Sequence, residues 1–385
     1  MEIEQISETI LSPFNKYFNK LCDEFEEFTE NIPIYDIQTL NSLCHNSIEV
    51  LKNRSSLLEL TGPIIVVGDI HGNIKDLVKI FHIFGTPPNT KYLFLGDYVD
   101  RGAESIAVIS LILAFLCLYP DSTYLIRGNH EFSHINRAYG FYEEIRKKYN
   151  NEELWLNFQQ VFNWLPLAAT INNLVFCVHG GLSPLMSSLD DIRKLQLPIA
   201  NYLQNTMISD LVWSDPNDAV QGFCLNHRGS GQIFGADTVE TFLKNNKLAL
   251  LVRAHQCTIG GIRPFANFSG ITLFSSSDYC LAFRNKCGVI SIKERNEISF
   301  YSLEDDFDCD ILPKATMIIP NDGSVGLRRL TRTLSKPNLA NILANVNSNE
   351  KEKSKITVQP KTMSRSVSVN SDLLLDIKIN NMNNI

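Results

Sequence analysis

Apolar positions along the chain switch between helical and strand-like periods several times. Ile10, Leu11, Phe14, Phe18 and Leu21 recur at helical spacing within an acidic opening stretch, which predicts an amphipathic helix inside residues 1–30. A second helical run covers about 37–55. Ile64-Ile65-Val66-Val67 then breaks the pattern. Four β-branched residues in a row, closed by Gly68-Asp69, read as a buried strand that hands its last residues to a turn. A helix at about 74–84, a strand at 92–95, a helix at about 103–118 and a strand at 123–126 follow. This βαβαβ alternation predicts an α/β (α+β) fold whose sheet has a parallel element and a helical cover. Residues 173–179 and 249–255 are again apolar strands, each ending in a histidine. Short strand-like runs between Thr272 and Phe300 predict a mixed or antiparallel second sheet that closes the core.

The pattern divides the chain into an acidic helical extension (1–34), a folded domain (35–310) and a tail (311–385). From about Pro313, Asn, Ser and Lys dominate, and Pro320, Pro337 and Pro360 interrupt any period, so the tail reads as disordered. It holds 11 Lys/Arg against 5 Asp/Glu, which leaves −13 of the total charge of −7 for the other 310 residues. An acidic body argues against non-specific nucleic-acid binding. The longest uncharged apolar run, Ile106 to Tyr119, has 14 residues, which is too short to cross a bilayer. The opening residues lack the basic and apolar regions of a signal peptide. Nine cysteines are scattered without framework spacing, the pattern of free thiols in a reducing compartment. A cytoplasmic and/or nuclear location is expected.

Chemistry concentrates in five short segments: Gly68-Asp69-Ile70-His71-Gly72, Gly96-Asp97-Tyr98-Val99-Asp100-Arg101-Gly102, Gly128-Asn129-His130-Glu131, His179-Gly180-Gly181 and Arg253-Ala254-His255. The first three follow predicted strands of the βαβαβ unit, and open α/β sheets gather ligands beyond the carboxyl ends of their strands. Asp, His and Asn together suit manganese, iron or zinc better than an all-oxygen magnesium site. Two such ions about 3.5–4 Å apart can share an attacking hydroxide and grip phosphoryl oxygens.

The segments and their order resemble the metal-dependent phosphoprotein phosphatase family, whose fold is a β-sandwich of mixed sheets flanked by helices. The resemblance covers roughly 35–305. It extends to Leu57-Leu58-Glu59-Leu60, Ile135-Asn136-Arg137-Ala138-Tyr139-Gly140-Phe141-Tyr142, Trp213-Ser214-Asp215-Pro216 and Phe234-Gly235-Ala236. The wording of 135–142 and of Val220-Gln221-Gly222 is most similar to the type 1 branch. The resemblance implies a protein serine/threonine phosphatase in which a hydroxide bridging two divalent metal ions attacks the phosphomonoester directly. It assigns Asp69, His71 and Asp97 to one metal, and Asp97, Asn129, His179 and His255 to the other. His130 becomes the general acid, with Asp100 as its orienting partner. Arg101 and Arg228, with Asn129, bind the phosphate, Tyr279 lies over the site and Tyr139 stands at its rim. Phosphoprotein substrates and regulatory subunits are implied as partners of a monomeric catalytic subunit, with no nucleic acid and no membrane.

Departures from the family pattern keep an alternative open. Ser275-Ser276-Ser277-Asp278-Tyr279-Cys280 lacks the usual Pro and carries a carboxylate where an amide is usual. His227 stands where the family has an Asp beside the clamp arginine, Asn73 replaces a Gln, and Phe132-Ser133 replace smaller residues. Asp278 and His227 motivate the rival reading: a catalytically weak pseudophosphatase that acts as a partner-binding scaffold. A phosphoesterase acting on nucleotides or diesters is a second rival.

Overall fold

The computed structural model describes residues 3–18, 32–203, 205–294, 296–304, 313–319 and 329–331. Two mixed sheets pack face to face, with helices on both outer surfaces. Strands Ile64–Val67 (β2), Tyr92–Phe94 (β3) and Thr123–Leu125 (β4) run parallel, linked by helices Ile74–Phe84 (α3) and Ser105–Leu118 (α4). To the other side of β2, Cys287–Ile292 (β13), Glu297–Leu303 (β14), Ala315–Ile318 (β15) and Arg329–Thr331 (β16) add antiparallel in turn. The result is a seven-stranded sheet among the described residues. The second sheet has six strands in the order Leu57–Leu60 (β1), Ala168–Ile171 (β5), Val175–Val178 (β6), Leu250–Arg253 (β10), Gly270–Leu273 (β12) and Ile262–Phe265 (β11). A three-stranded sheet of Asp215–Pro216 (β7), Gln232–Phe234 (β9) and Phe223–Leu225 (β8) stands apart from both.

Period-2 geometry explains why β2 is apolar throughout. Ile64 and Val66 face the space between the sheets, where they meet Leu93, Ile171, Leu250 and Val252. Ile65 and Val67 face outward into a cluster with Ile74, Phe81 and Ile109 of α3 and α4. The outer face of the six-stranded sheet is covered in the same way, by Leu211 and Val212 of helix Thr206–Trp213 and by Val239, Phe242 and Leu243 of helix Ala236–Asn245. Helix α4 is buried on all sides from Ser105 to Leu116, which is why its sequence carries no charge. No helix among the described residues is long and apolar enough to cross a membrane.

Two details differ from the simplest sequence expectation. Strands β13 and β14 do not found a second sheet; they extend the βαβαβ sheet. Val289 and Ile290 pair with Val67 and Val66, so both faces of the new strand find the cores that β2 already borders. Within the basic segment read as disordered, Ala315–Ile318 pairs with β14, and Met317 is buried between the sheets. The rest of 311–385, apart from 313–319 and 329–331, lies outside the described residues.

The N-terminal helix Ile3–Phe18 (α1) packs into the outer cluster through Ile6, Ile10, Leu11 and Phe14. Tyr35 donates its hydroxyl to Ile10 O at 3.0 Å, tying the entry into helix Ile37–Leu51 (α2) to α1. Phe14 is fully buried, so Phe14→Ala should lower the unfolding free energy by about 3–5 kcal/mol. A urea titration with unchanged slope and a lower midpoint checks this.

Candidate metal centre and active site

The site lies where the parallel strands of both sheets end. The sheets meet there, through a bridge between Asp69 and Phe274, and through Ser275, whose Oγ accepts from Gly68 N and donates to Gly288 O. Asp69 leaves β2, Asp97 leaves β3, Asn129 and His130 follow β4, His179 follows β6 and His255 follows β10. The first two turns are braided: Ile70 N and His71 N donate to Asp97 O at 3.0 and 2.9 Å, and Gly72 N donates to Tyr98 O. Such close approach excludes side chains at two positions. A Cβ at Gly128 would sit 2.2 Å from Asp97 Oδ1, and Gly96, at φ +101°, would push one to 2.4 Å from Gly128 N.

Five non-glycine residues of this region hold left-handed backbone: His71, Asp97, Asp100, Arg101 and His255. Conformations of this kind cost of order 1–3 kcal/mol each and gather at functional sites. Glu131 secures two of the turns. Fully buried, it accepts from Asp97 N and Tyr98 N at 2.8 Å and from Gly128 N at 3.0 Å.

Side-chain nitrogen and oxygen atoms converge in this frame. Asp97 Oδ2 lies 3.5 Å from His71 Nε2 and 3.4 Å from His179 Nε2, so one carboxylate faces two imidazoles. Asp69 Oδ2 is 3.7 Å from His71 Nε2, while its Oδ1 accepts from His255 N at 2.9 Å. His179 Nε2 is 2.9 Å from Asn129 Oδ1 and 3.2 Å from His255 Nδ1. A carbonyl oxygen can only accept, so His71 Nδ1 donates to Val99 O and His179 Nδ1 donates to Leu95 O. In their neutral form both rings therefore turn an Nε2 lone pair toward other acceptors, and His255 Nε2 has no hydrogen-bond partner.

Electrostatics agree with the geometry. Burial pushes His71 down to about 3, and burial with Arg228 nearby holds His255 well below the usual imidazole value. Burial, reinforced by Asp97, raises Asp69 to about 7. Burial works against ionising Asp97 as well, but His179 and His130 outweigh it and hold that carboxyl low. Without a cation Asp97 also raises the pKa of His179 against its burial, while His71 and His255 stay neutral. Imidazoles, buried carboxylates and an amide oxygen aimed at one another are a cation-binding donor set, and Asp97 is placed to serve two ions. The combinations His71–Asp97–His130 and Asp97–His179–His255 each bring their donor atoms within 4.8 Å of one another.

His130 differs from the other imidazoles. Its Nδ1 donates to Asp100 Oδ2 at 2.6 Å, and Asp100 is fixed in turn by Phe141 N on Oδ1. Burial alone would lower its pKa, but Asp97 and Asp100 together raise it. The Arg101 guanidinium lies 4.4 Å from the Tyr139 ring centroid, and Tyr139 meets the His130 ring edge-on. The Tyr279 ring lies 5.2 Å from that of His71. Arg228 joins the cleft from the three-stranded sheet, donating from Nε to Asp215 Oδ2 at 2.7 Å. Asp215 also accepts from the fully buried Arg253, whose guanidinium reaches Gly180 O and Ser214 O.

All twelve residues expected at the site thus lie in one region. Sequence reasoning assigned no role to Glu131, Asp215 or Arg253. A signal existed for Arg253, because a cation closing the buried run Leu250-Leu251-Val252 needs a buried partner. Asp215 also answers the question raised by His227. That residue is exposed, and the carboxylate that holds Arg228 comes from Asp215 instead. Asp278 is exposed as well, with left-handed backbone at φ 46°, a conformation that Asp and Asn both tolerate.

A sandwich of mixed sheets with a two-metal donor set at its strand ends defines a metal-dependent phosphoesterase. Residues 62–258 match the calcineurin-like phosphoesterase family. Among solved structures, a protein serine/threonine phosphatase from Saccharomyces cerevisiae, described as similar to human phosphatase PP5, is 31% identical. That match covers 72% of this chain and 93% of the yeast one at a TM-score of 0.67. A cold-active protein-tyrosine phosphatase from a psychrophilic Shewanella is 14% identical, with coverage of 68% and 82% and a TM-score of 0.48, and adds nothing to the assignment. The chain belongs to the calcineurin-like phosphoesterases and, within them, to the phosphoprotein phosphatase family.

Cation binding should be measurable without turnover. Mn²⁺ at a hundred times its Kd should stabilise metal-stripped protein by about 2.7 kcal/mol. His179→Asn should remove most of that gain, as read by the thermal unfolding midpoint with and without the ion.

Proposed function

We propose that the protein is a protein serine/threonine phosphatase that hydrolyses phosphoserine and phosphothreonine monoesters. The observation that carries this reading is the His130–Asp100 pair, 2.6 Å apart, standing beside a carboxylate that faces two imidazole lone pairs. The serine/threonine assignment draws on the yeast phosphatase at 31% identity and on the segments at 135–142 and 213–216.

In this reading Asp69, His71 and Asp97 hold one divalent ion, and Asp97, Asn129, His179 and His255 hold the second. Manganese, iron and zinc suit these donors. When bound, the ions supply Lewis acidity toward the phosphoryl oxygens and an activated water. Arg101 and Arg228 neutralise the phosphoryl oxygens; planar guanidinium suits that task better than ammonium. Tyr139 beneath Arg101 and Asp215 beside Arg228 fix the two cations in place. Asn129 lies against the same oxygens, Tyr279 covers the site and Tyr139 lines its rim.

His130 is assigned the proton donor and not a third imidazole ligand, although it lies within 4.8 Å of His71 and Asp97. Its Nδ1–H is held by Asp100, and Asp97 and Asp100 raise its pKa, favouring the protonated form from which Nε2 can deliver a proton to the departing alkoxide. Protonated imidazole cannot bind a metal. The scaffold alternative loses its motive, because Asp278 is exposed and Arg228 keeps a carboxylate partner. Phosphoproteins and regulatory subunits are the partners we propose, with a monomeric catalytic subunit located in the cytoplasm, the nucleus or both.

Phosphate release from a phosphothreonine peptide by the manganese-loaded protein tests the reading. His130→Asn should reduce kcat by about 100- to 10,000-fold. A general acid works only while protonated, so its raised pKa extends the alkaline limb of the kcat profile. Asp100→Asn should therefore move that limb to lower pH. A dinucleotide or diester turned over in preference to the phosphopeptide would overturn the substrate assignment.

A further inference from the structure

Helix α3 buries two opposite charges that its amphipathic pattern does not require. Asp76 and Lys79 are both almost fully buried, as are Ile74, Leu77, Val78, Ile80 and Phe81 of the same helix, with Lys79 Nζ 3.7 Å from Asp76 Oδ1. A buried ion pair is seldom more stabilising than apolar side chains of the same volume, so what it holds in place matters. Asp76 Oδ2 accepts from Ser277 N at 2.6 Å and from Asn73 Nδ2 at 2.7 Å. The Asn73 amide also reaches Ser277 O at 3.3 Å and Ser276 Oγ at 3.4 Å, and its Oδ1 caps α3 by accepting from Asp76 N.

The segment gripped in this way is the loop that carries Tyr279. It needs outside support, because Asp278, Cys280 and Leu281 all have left-handed backbone, and Leu281 is 96% exposed. Besides Ser275 at its start, the loop is anchored by Asn285, which accepts from Tyr279 N at 2.9 Å and donates to Ser276 O. Asn285 belongs to the same loop, two residues before β13. Asp76 lies in the first turn of a helix that Asn73 caps and that begins three residues after His71. The metal-site turn and the tyrosine loop are therefore referenced to one helix N-terminus.

We propose that Asp76, aided by Asn73, is a positioning residue that sets the distance between Tyr279 and His71. Lys79 compensates its charge and donates to Glu304 O at 2.8 Å. The absent Pro and the run Ser275-Ser276-Ser277 fit this arrangement, because position 277 must donate its backbone N–H, which Pro cannot do.

The test uses paired variants that leave no unpaired buried charge. In Asp76→Ala/Lys79→Met, amide exchange of residues 276–281 should quicken by about 10-fold or more, with the rest of the domain near wild-type rates. Asp76→Asn/Lys79→Met retains an acceptor for Ser277 N and should restore slow exchange. Activity supplies a second readout, which rests on the phosphatase reading. Phosphopeptide kcat should fall about 10-fold in the Ala/Met variant. Adding Tyr279→Phe should then cost less than it does in wild type, since both changes act through one ring. Wild-type exchange at 276–281 in the Ala/Met variant, faster exchange spread across the domain, or full additivity with Tyr279→Phe would each overturn the proposal. A wild-type protein inert toward phosphopeptide would sink the phosphatase reading alone, because the exchange comparison decides the role of Asp76 without turnover.

Discussion

Asp69 and Asp97 are withdrawn from water side by side, at 1% and 2% exposure, and the surrounding architecture follows from that placement. Desolvating an ionised carboxylate costs several kcal/mol unless a charge or hydrogen bonds compensate it. Around Asp97 stand imidazoles whose Nδ1 hydrogens already go to Val99 O and Leu95 O; neutral, they turn Nε2 lone pairs toward it, and without a cation its charge raises the pKa of His179. An acceptor-rich pocket of this kind is satisfied by cations. The raised pKa of Asp69 expresses the same frustration in protons: without a cation, two neighbouring carboxyls favour one negative charge between them.

Holding that arrangement takes backbone that chains ordinarily avoid. His71, Asp97, Asp100, Arg101 and His255 are all left-handed, and their turns depend on one another. Glu131 is central because a single carboxylate ties Asp97, Tyr98 and Gly128 together. The glycines at 96 and 128 follow from the same crowding, since the strand-end turns approach closer than a Cβ allows. Strain here is over-determined by the two packed sheets beneath, which fix where each strand stops.

The outer part of the cleft works by a second rule: each cation aimed at substrate is itself braced. Arg101 rests on Tyr139, Arg228 leans on Asp215, and Asp215 is shared with the buried Arg253, which connects the three-stranded sheet to the end of β10. This chain of contacts explains how the family position occupied by His227 can lose its carboxylate while the clamp keeps one.

Much of this protein was legible in its residue order. The βαβαβ alternation, the strands that end in Asp69, Asp97, His179 and His255, and the helix that had to be buried on all sides follow from local periodicity, which a chain cannot disguise. The donor atoms were legible because metal chemistry restricts residue type, and short motifs carry that restriction. What tertiary structure alone decided concerns pairing across distance. Period-2 patterns do not say which strand lies beside which, so β13 and β14 joined β2 because Val66 and Val67 offered matching faces. Nor could the sequence assign Asp215 to Arg228 or Asp76 to the loop at Ser277, since a carboxylate's partner depends on where two sheets and a helix bring it, 13 residues away in one case and 201 in the other.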